Sequence, residues 1–122
     1  MQPSICVLIT QAPYGLVHAA EGVRHVNGAL SQGFSASALL TDDGVWLACK
    51  GQNAGQTGYT SLSEALEAAL NKQDGPKPRV LVHGQSLAER GLTAADLIDG
   101  IELTDDAGLA ALLAESQYLL RF

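Results

Sequence analysis

Cations are scarce and scattered in this chain: seven Lys and Arg stand against thirteen Asp and Glu, a formal net charge of −6. Phosphate contacts need clustered cations, so direct nucleic-acid binding is not expected. There is no apolar run of 18 residues and no basic-then-apolar leader. The expectation is a soluble, cytoplasmic protein without a membrane partner. Cysteine is scarce too. Cys6 and Cys49 form neither a CxxC nor a metal-ligand spacing, and both are expected to be reduced. Aromatics make up only 5% of the residues, so the core must be aliphatic.

What is present is globular. The chain has 122 residues, 47% of them apolar and mostly Ala, Leu and Val, enough for one domain spanning 1–122 with its own core. The acidic excess gathers in Glu89 to Phe122 and reads as a solvated anionic face.

Ser4 to Thr10 is a nearly continuous apolar run, as in a parallel strand covered on both faces. Pro13 and Gly15 mark the turn that follows. Leu16, Ala19, Ala20, Val23, Val26 and Leu30 recur at helical spacing, which predicts a helix over residues 16–32. Gly22 and Gly28 weaken that helix unless it approaches a sheet or a partner closely. Residues 34–41 are a strand of small residues, expected near an edge, and Asp42-Asp43-Gly44 is a turn. Val45 to Lys50 is expected to form a helical turn, and the glycine-rich stretch 51–58 a mobile loop.

Ser61 and Glu64 match a capping box opening a helix to about Gln73. Arg79 to Val82 is a buried strand entered from Gly75-Pro76-Lys77-Pro78, and it hands over to a helix within a few residues. Thr93 caps a turn through Asp96. Ile101 to Leu103 is a short strand, and Thr104 is expected to cap a helix burying Leu109, Leu112 and Leu113. Tyr118 to Phe122 forms the last strand.

Strands alternating with helices predict an α/β fold, a five-stranded parallel sheet between two helical layers. The flavodoxin-like order 2-1-3-4-5 then puts a switch point between strands 1 and 3. Two loops are expected to meet there, lining a crevice with Tyr14, Gly15, His83, Gln85 and Ser86.

Familiar chemistries fit poorly. The first loop has too few hydroxyls for an FMN phosphate, no GxGxxG follows strand 1, and no Asp ends strand 3. No metal cluster or cofactor is expected. His83 and Cys49 remain as candidate catalytic residues, Cys49 because Lys50 beside it favours a thiolate.

Several pieces carry a resemblance. They are Ala12-Pro13-Tyr14-Gly15 with Glu21-Gly22, Asp43-Gly44-Val45-Trp46 with Gly51-Gln52, and Ser86-Leu87 with Glu89-Arg90-Gly91-Leu92. In this order and spacing they resemble the DsrE/DsrF (TusD/TusC) sulfur-relay family. The terminal Leu119-Leu120-Arg121-Phe122 is similar to the DsrF/TusC branch. The resemblance implies a flavodoxin-like fold and a homo-oligomer, or a hetero-oligomer with DsrE/DsrH-like (TusD/TusB-like) paralogues. It also implies persulfide transfer from cysteine to cysteine, in sulfur oxidation or tRNA 2-thiouridine synthesis. In the carrying subunits of that family the nucleophilic cysteine opens the helix after strand 3. By spacing to Arg90-Gly91 that position here is His83, which cannot hold a persulfide. The resemblance therefore points to a non-carrier, partner-binding subunit, not catalytic alone. The alternatives are a sulfur carrier using Cys49 and a small-ligand-binding module.

Overall fold

The computed structural model describes residues 2–55, 58 and 61–122. Its elements are β1 (Ser4–Ile9), α1 (His18–Ser31), β2 (Ser35–Leu40), a 3-10 helix (Asp42–Ala48), α2 (Leu62–Leu70), β3 (Arg79–His83), α3 (Gly84–Glu89), a 3-10 turn (Ala94–Asp96), β4 (Glu102–Thr104), α4 (Asp106–Glu115) and β5 (Tyr118–Arg121). All four strand pairings are parallel, and the five strands form one sheet with helices on both faces, the expected class. Of the expected loop 51–58, residues 56 and 57 lie outside the described residues.

The sheet runs β4-β3-β2-β1-β5. β1 therefore lies between β2 and β5, whereas the order 2-1-3-4-5 had put β3 at that side. Hydrophobic periodicity marks strands but not their neighbours, and the apolar C-terminal strand takes the open side of β1, pairing Cys6 with Leu119 and Val7 with Leu120. β2 is consequently interior, not near an edge: Ala36 to Leu40 are all buried. Its small residues reflect close packing of the layer above.

Three successive crossovers, β1 to β4, step the same way and keep their helices on one face. There Val7, Ile9, Ala38, Leu40, Val80 and Val82 meet Val23 and Val26 of α1, Leu62 and Leu66 of α2, and Leu87 of α3. The connection from β4 to β5 runs back across the sheet, so α4 covers the opposite face. That second layer is thin: Leu112 packs on Cys6, Leu39 and Leu81, with Leu8, Leu109 and Leu113 partly covered.

Two glycines are fixed by this packing. A Cβ on Gly22 would sit 2.6 Å from Ile9 Cδ1, so the close approach expected of α1 is made to the sheet beneath it. Gly28 meets nothing within 4 Å. On Gly44 a Cβ would collide with the backbone carbonyl of Ile9, which seats the Asp42–Ala48 helix against the end of β1.

Helix ends depart from expectation in four places. Ser61 does not close a capping box; its hydroxyl lies 3.4 Å from Ser63 Oγ, and the Leu62 N–H donates to the Tyr14 hydroxyl at 3.2 Å. A complete box forms at Thr93 and Asp96. Thr104 ends β4, and the cap of α4 is Asp105, whose Oδ1 accepts from the Gly108 N–H at 2.9 Å. A carboxylate one residue further on reaches the free N–H groups better than the strand-bound threonine. α2 also stops at Leu70, short of Gln73, and α1 begins at His18, leaving Leu16 and Val17 exposed.

Candidate functional site

In an open α/β sheet ligands gather at the carboxyl edge, where neighbouring connections leave toward opposite faces. Here that reversal falls between β3 and β4: α3 packs on the thick face and α4 on the thin one. His83 ends β3, Thr104 ends β4 in register with it, and Asp106 opens α4.

The side chains at this edge form one hydrogen-bonded line. His83 Nε2 is 2.7 Å from Asp106 Oδ1, and His83 Nδ1 is 2.7 Å from Ser86 Oγ. Ser86 Oγ also accepts the Asp42 N–H at 3.0 Å. The donors fix the roles. A backbone N–H can only donate, and a carboxylate can only accept. A neutral His83 thus carries its proton on Nε2, facing Asp106, and takes the Ser86 hydroxyl proton at Nδ1. Asp42 holds its N–H toward the serine with φ +53°, one of two non-glycine residues with positive φ among those described. Such backbone is costly and tends to collect at working sites.

An open crevice of about 600 Å³ lies in front of this line. Leu8, Leu109 and Leu113 form its apolar side, while Thr10, Thr41 and Arg121 add polar groups. Thr41 is 8% exposed, and its hydroxyl makes no cap bond to the helix it precedes. Arg90 braces the wall: its guanidinium donates to Asp43 Oδ1 at 2.9 Å and to the Ser86 carbonyl at 3.0 Å.

The five residues expected to share a crevice are split. His83, Gln85 and Ser86 line this one. Tyr14 and Gly15 line a separate, mostly apolar cavity of about 480 Å³ with Val17, Val23 and Leu62. The Tyr14 hydroxyl bonds to Gln52 Oε1 at 3.0 Å, and the Gln52 amide donates to the carbonyls of Trp46, Leu47 and Cys49. These two residues tie the loop after β1 to the 3-10 helix. Asp106, Asp42, Thr41 and Arg121 were not anticipated. An acid in the first turn after β4 was the available signal for Asp106, because the expected order also sets strand 4 beside strand 3.

Neither thiol is poised to react. Cys6 is fully buried in β1, and desolvation pushes its pKa from 9.0 to about 11. Cys49 is 8% exposed, and its pKa is raised by burial first and by the Asp96 carboxylate second. Lys50 does not offset this: the Cys49 thiol stays above its ordinary value, with no lowering by the neighbouring ammonium. Among the described residues no group of His, Cys, Asp and Glu is arranged to hold a metal ion, and no helix is long and apolar enough to cross a membrane.

The sequence model of the DsrE/DsrF-like family matches residues 3–122. Two archaeal relatives align over nearly their whole length. Uncharacterized protein MK0008 of Methanopyrus kandleri is 32% identical over 97% of this chain and 93% of its own. Uncharacterized protein MJ0989 of Methanocaldococcus jannaschii is 33% identical over 95% and 96%. Among solved structures, the ychN protein from E. coli superposes with a TM-score of 0.84 at 25% identity, covering 100% of both chains. MTH1491 from Methanobacterium thermoautotrophicum, a protein of unknown function, shares the fold with a TM-score of 0.70 at 12% identity, covering 99% of this chain and 100% of its own.

Proposed function

The chain belongs to the DsrE/DsrF-like family, and from that premise we propose that it is a non-carrier, partner-binding subunit of a sulfur-relay oligomer, serving sulfur oxidation or tRNA 2-thiouridine synthesis. The observation that carries this reading is the state of its two thiols. A persulfide carrier needs an accessible thiolate that a partner's cysteine can reach. Cys6 is sealed in the sheet with a pKa near 11, Cys49 is buried with its pKa raised, and the family's carrier position holds His83.

A non-carrier contributes surface instead. β4 and β5 are the sheet's two edges, and each presents apolar side chains to solvent: Leu103 at 54%, Tyr118 at 55% and Leu119 at 54% exposure. Unpaired strand edges with apolar side chains are surfaces that associate. The partners in this reading are further copies of the chain or DsrE/DsrH-like paralogues.

The test is sulfur loading. The full chain is incubated with a cysteine desulfurase and cysteine, and bound sulfur is counted by intact mass. No added sulfur is expected on the wild type or on Cys49→Ser, with both thiols slow toward maleimide until the protein unfolds. Native mass spectrometry should show an oligomer, alone or with a paralogue. One sulfur on the wild type that Cys49→Ser cannot gain would transfer the assignment to a carrier using Cys49.

A further inference from the structure

We infer that the crevice at the β3–β4 edge is an acyl-transfer site for small anionic esters or thioesters, with Ser86 as nucleophile, His83 as its base and Asp106 positioning the imidazole. Nothing in this chemistry requires a cysteine, so it stands apart from the sulfur-relay reading.

Three observations converge. The Asp106–His83–Ser86 line runs carboxylate, imidazole, hydroxyl with 2.7 Å at each link. Its ring nitrogens take the roles that a serine nucleophile demands: one accepts the hydroxyl proton, and the other donates to an anion that stabilises the imidazolium. Second, Ser86 stands on the crevice wall, and the Asp42 N–H at 3.0 Å supports negative charge on Oγ as it forms. Third, the same crevice holds polar groups with no partner among the described residues. The hydroxyl of Thr41 belongs to a side chain more than nine-tenths buried, and Arg121 makes neither hydrogen bond nor ion pair there. No buried side-chain oxygen is left unpaired among the described residues, so the Thr41 hydroxyl is open to the crevice and available to a ligand. Thr41 donates to the carbonyl oxygen as it becomes an oxyanion, Arg121 pairs with the substrate's remote anion, and Leu8, Leu109 and Leu113 cover its apolar part.

The reaction balances without an oxidant or a metal. Ser86 Oγ attacks the acyl carbon, and its proton passes to His83 Nδ1 while Nε2–H stays on Asp106. That proton then leaves with the alkoxide or thiolate, giving an alcohol or thiol and an O-acyl serine. Water repeats the cycle: its oxygen adds to the acyl carbon, its proton goes to Nδ1, and the same proton returns to Ser86 Oγ as the acid departs. The sum is ester plus water to acid plus alcohol.

The experiment uses the full chain with the mono-p-nitrophenyl ester of succinic acid, alongside p-nitrophenyl acetate. Nitrophenolate release is followed, and the acyl group is located by peptide mass spectrometry. Wild type should carry one succinyl group on Ser86 and Ser86→Ala none. Asp106→Asn is the stronger variant, because that side chain is 84% exposed and its exchange leaves packing alone. It should slow acylation by about a hundred-fold and move the pH midpoint of the rate downward, since removing the anion makes the imidazolium less stable. Arg121→Gln should narrow the preference for the succinyl ester over the acetate about ten-fold. Succinyl groups on lysines only would overturn the assignment, and so would an Asp106→Asn variant with unchanged rate and pH profile. If Ser86→Ala does not fold, as circular dichroism would reveal, the Asp106→Asn result decides alone.

Discussion

The two faces of the sheet are built unequally. On one, α1, α2, α3 and the Asp42–Ala48 helix bury a continuous aliphatic core. On the other, α4 alone covers Cys6, Leu39 and Leu81. A sheet face that is only partly roofed leaves open ground beside its cover, and here that ground is the crevice at the carboxyl edge. Stability is concentrated on the thick side. The crevice beside the thin cover draws its polar groups from both sides, Ser86 from α3 and Asp106 from α4 meeting at His83.

The comparison can be broken most severely at the thick face. Gly44→Ala places a methyl group against the Ile9 carbonyl, backbone that cannot move aside without disturbing β1. We expect a loss of about 4 kcal/mol or more, read as a fall in the denaturant midpoint or as failure to fold. Next comes a matched pair of deletions. Leu66, 1% exposed on α2, and Leu112, 4% exposed on α4, are both buried leucines on single helices. Leu66→Ala should cost about 3–5 kcal/mol and Leu112→Ala about 2–3 kcal/mol, because α4 can settle onto a face with fewer neighbours. Equal losses in urea titrations would show that the faces are equally constrained.

The smallest effect tests whether the thin face is dry. The folded chain holds the Cys6 thiol to about 11, against 9.0 for an ordinary thiol. Between those values the unfolded chain releases a proton that the folded chain keeps, so stability falls as pH rises. The contribution is whole below pH 9, declines between about 9 and 11, and is flat beyond. Cys6→Ala should remove that alkaline slope when unfolding is measured across the range. A slope surviving the substitution would place its origin elsewhere.

Much of the fold was legible because its signals are local. The apolar run of β1, the spacing of Val23 and Val26 in α1 and the proline-rich entry to β3 each specify their element without reference to distant residues. The order of strands was not legible, since which side of β1 receives β5 depends on a pairing between residues far apart in sequence. The site shows the same division. His83 and Ser86 could be placed at the sheet's carboxyl edge from the strand-to-helix switch alone. Tyr14 could not be excluded from it, because its separation rests on the Gln52 bond. Asp106 stands in the first turn after β4, and only side-chain geometry shows it turned toward His83.

The pairing of β1 with β5 has a consequence for how the chain is made. Ser4 and Gln117, 113 positions apart, exchange two hydrogen bonds that seat β5 beside β1. Until residue 118 and its neighbours have emerged from the ribosome, one edge of β1 has no strand to meet, and Cys6 and Leu8 stand beside that vacancy. At a synthesis rate of roughly 5–20 residues per second the wait lasts some seconds, long enough for intervention by a chaperone or by the wrong edge of another nascent chain. Closing so long a loop is also the step expected to set the folding rate. The strand that begins the sheet is thus the last to be completed.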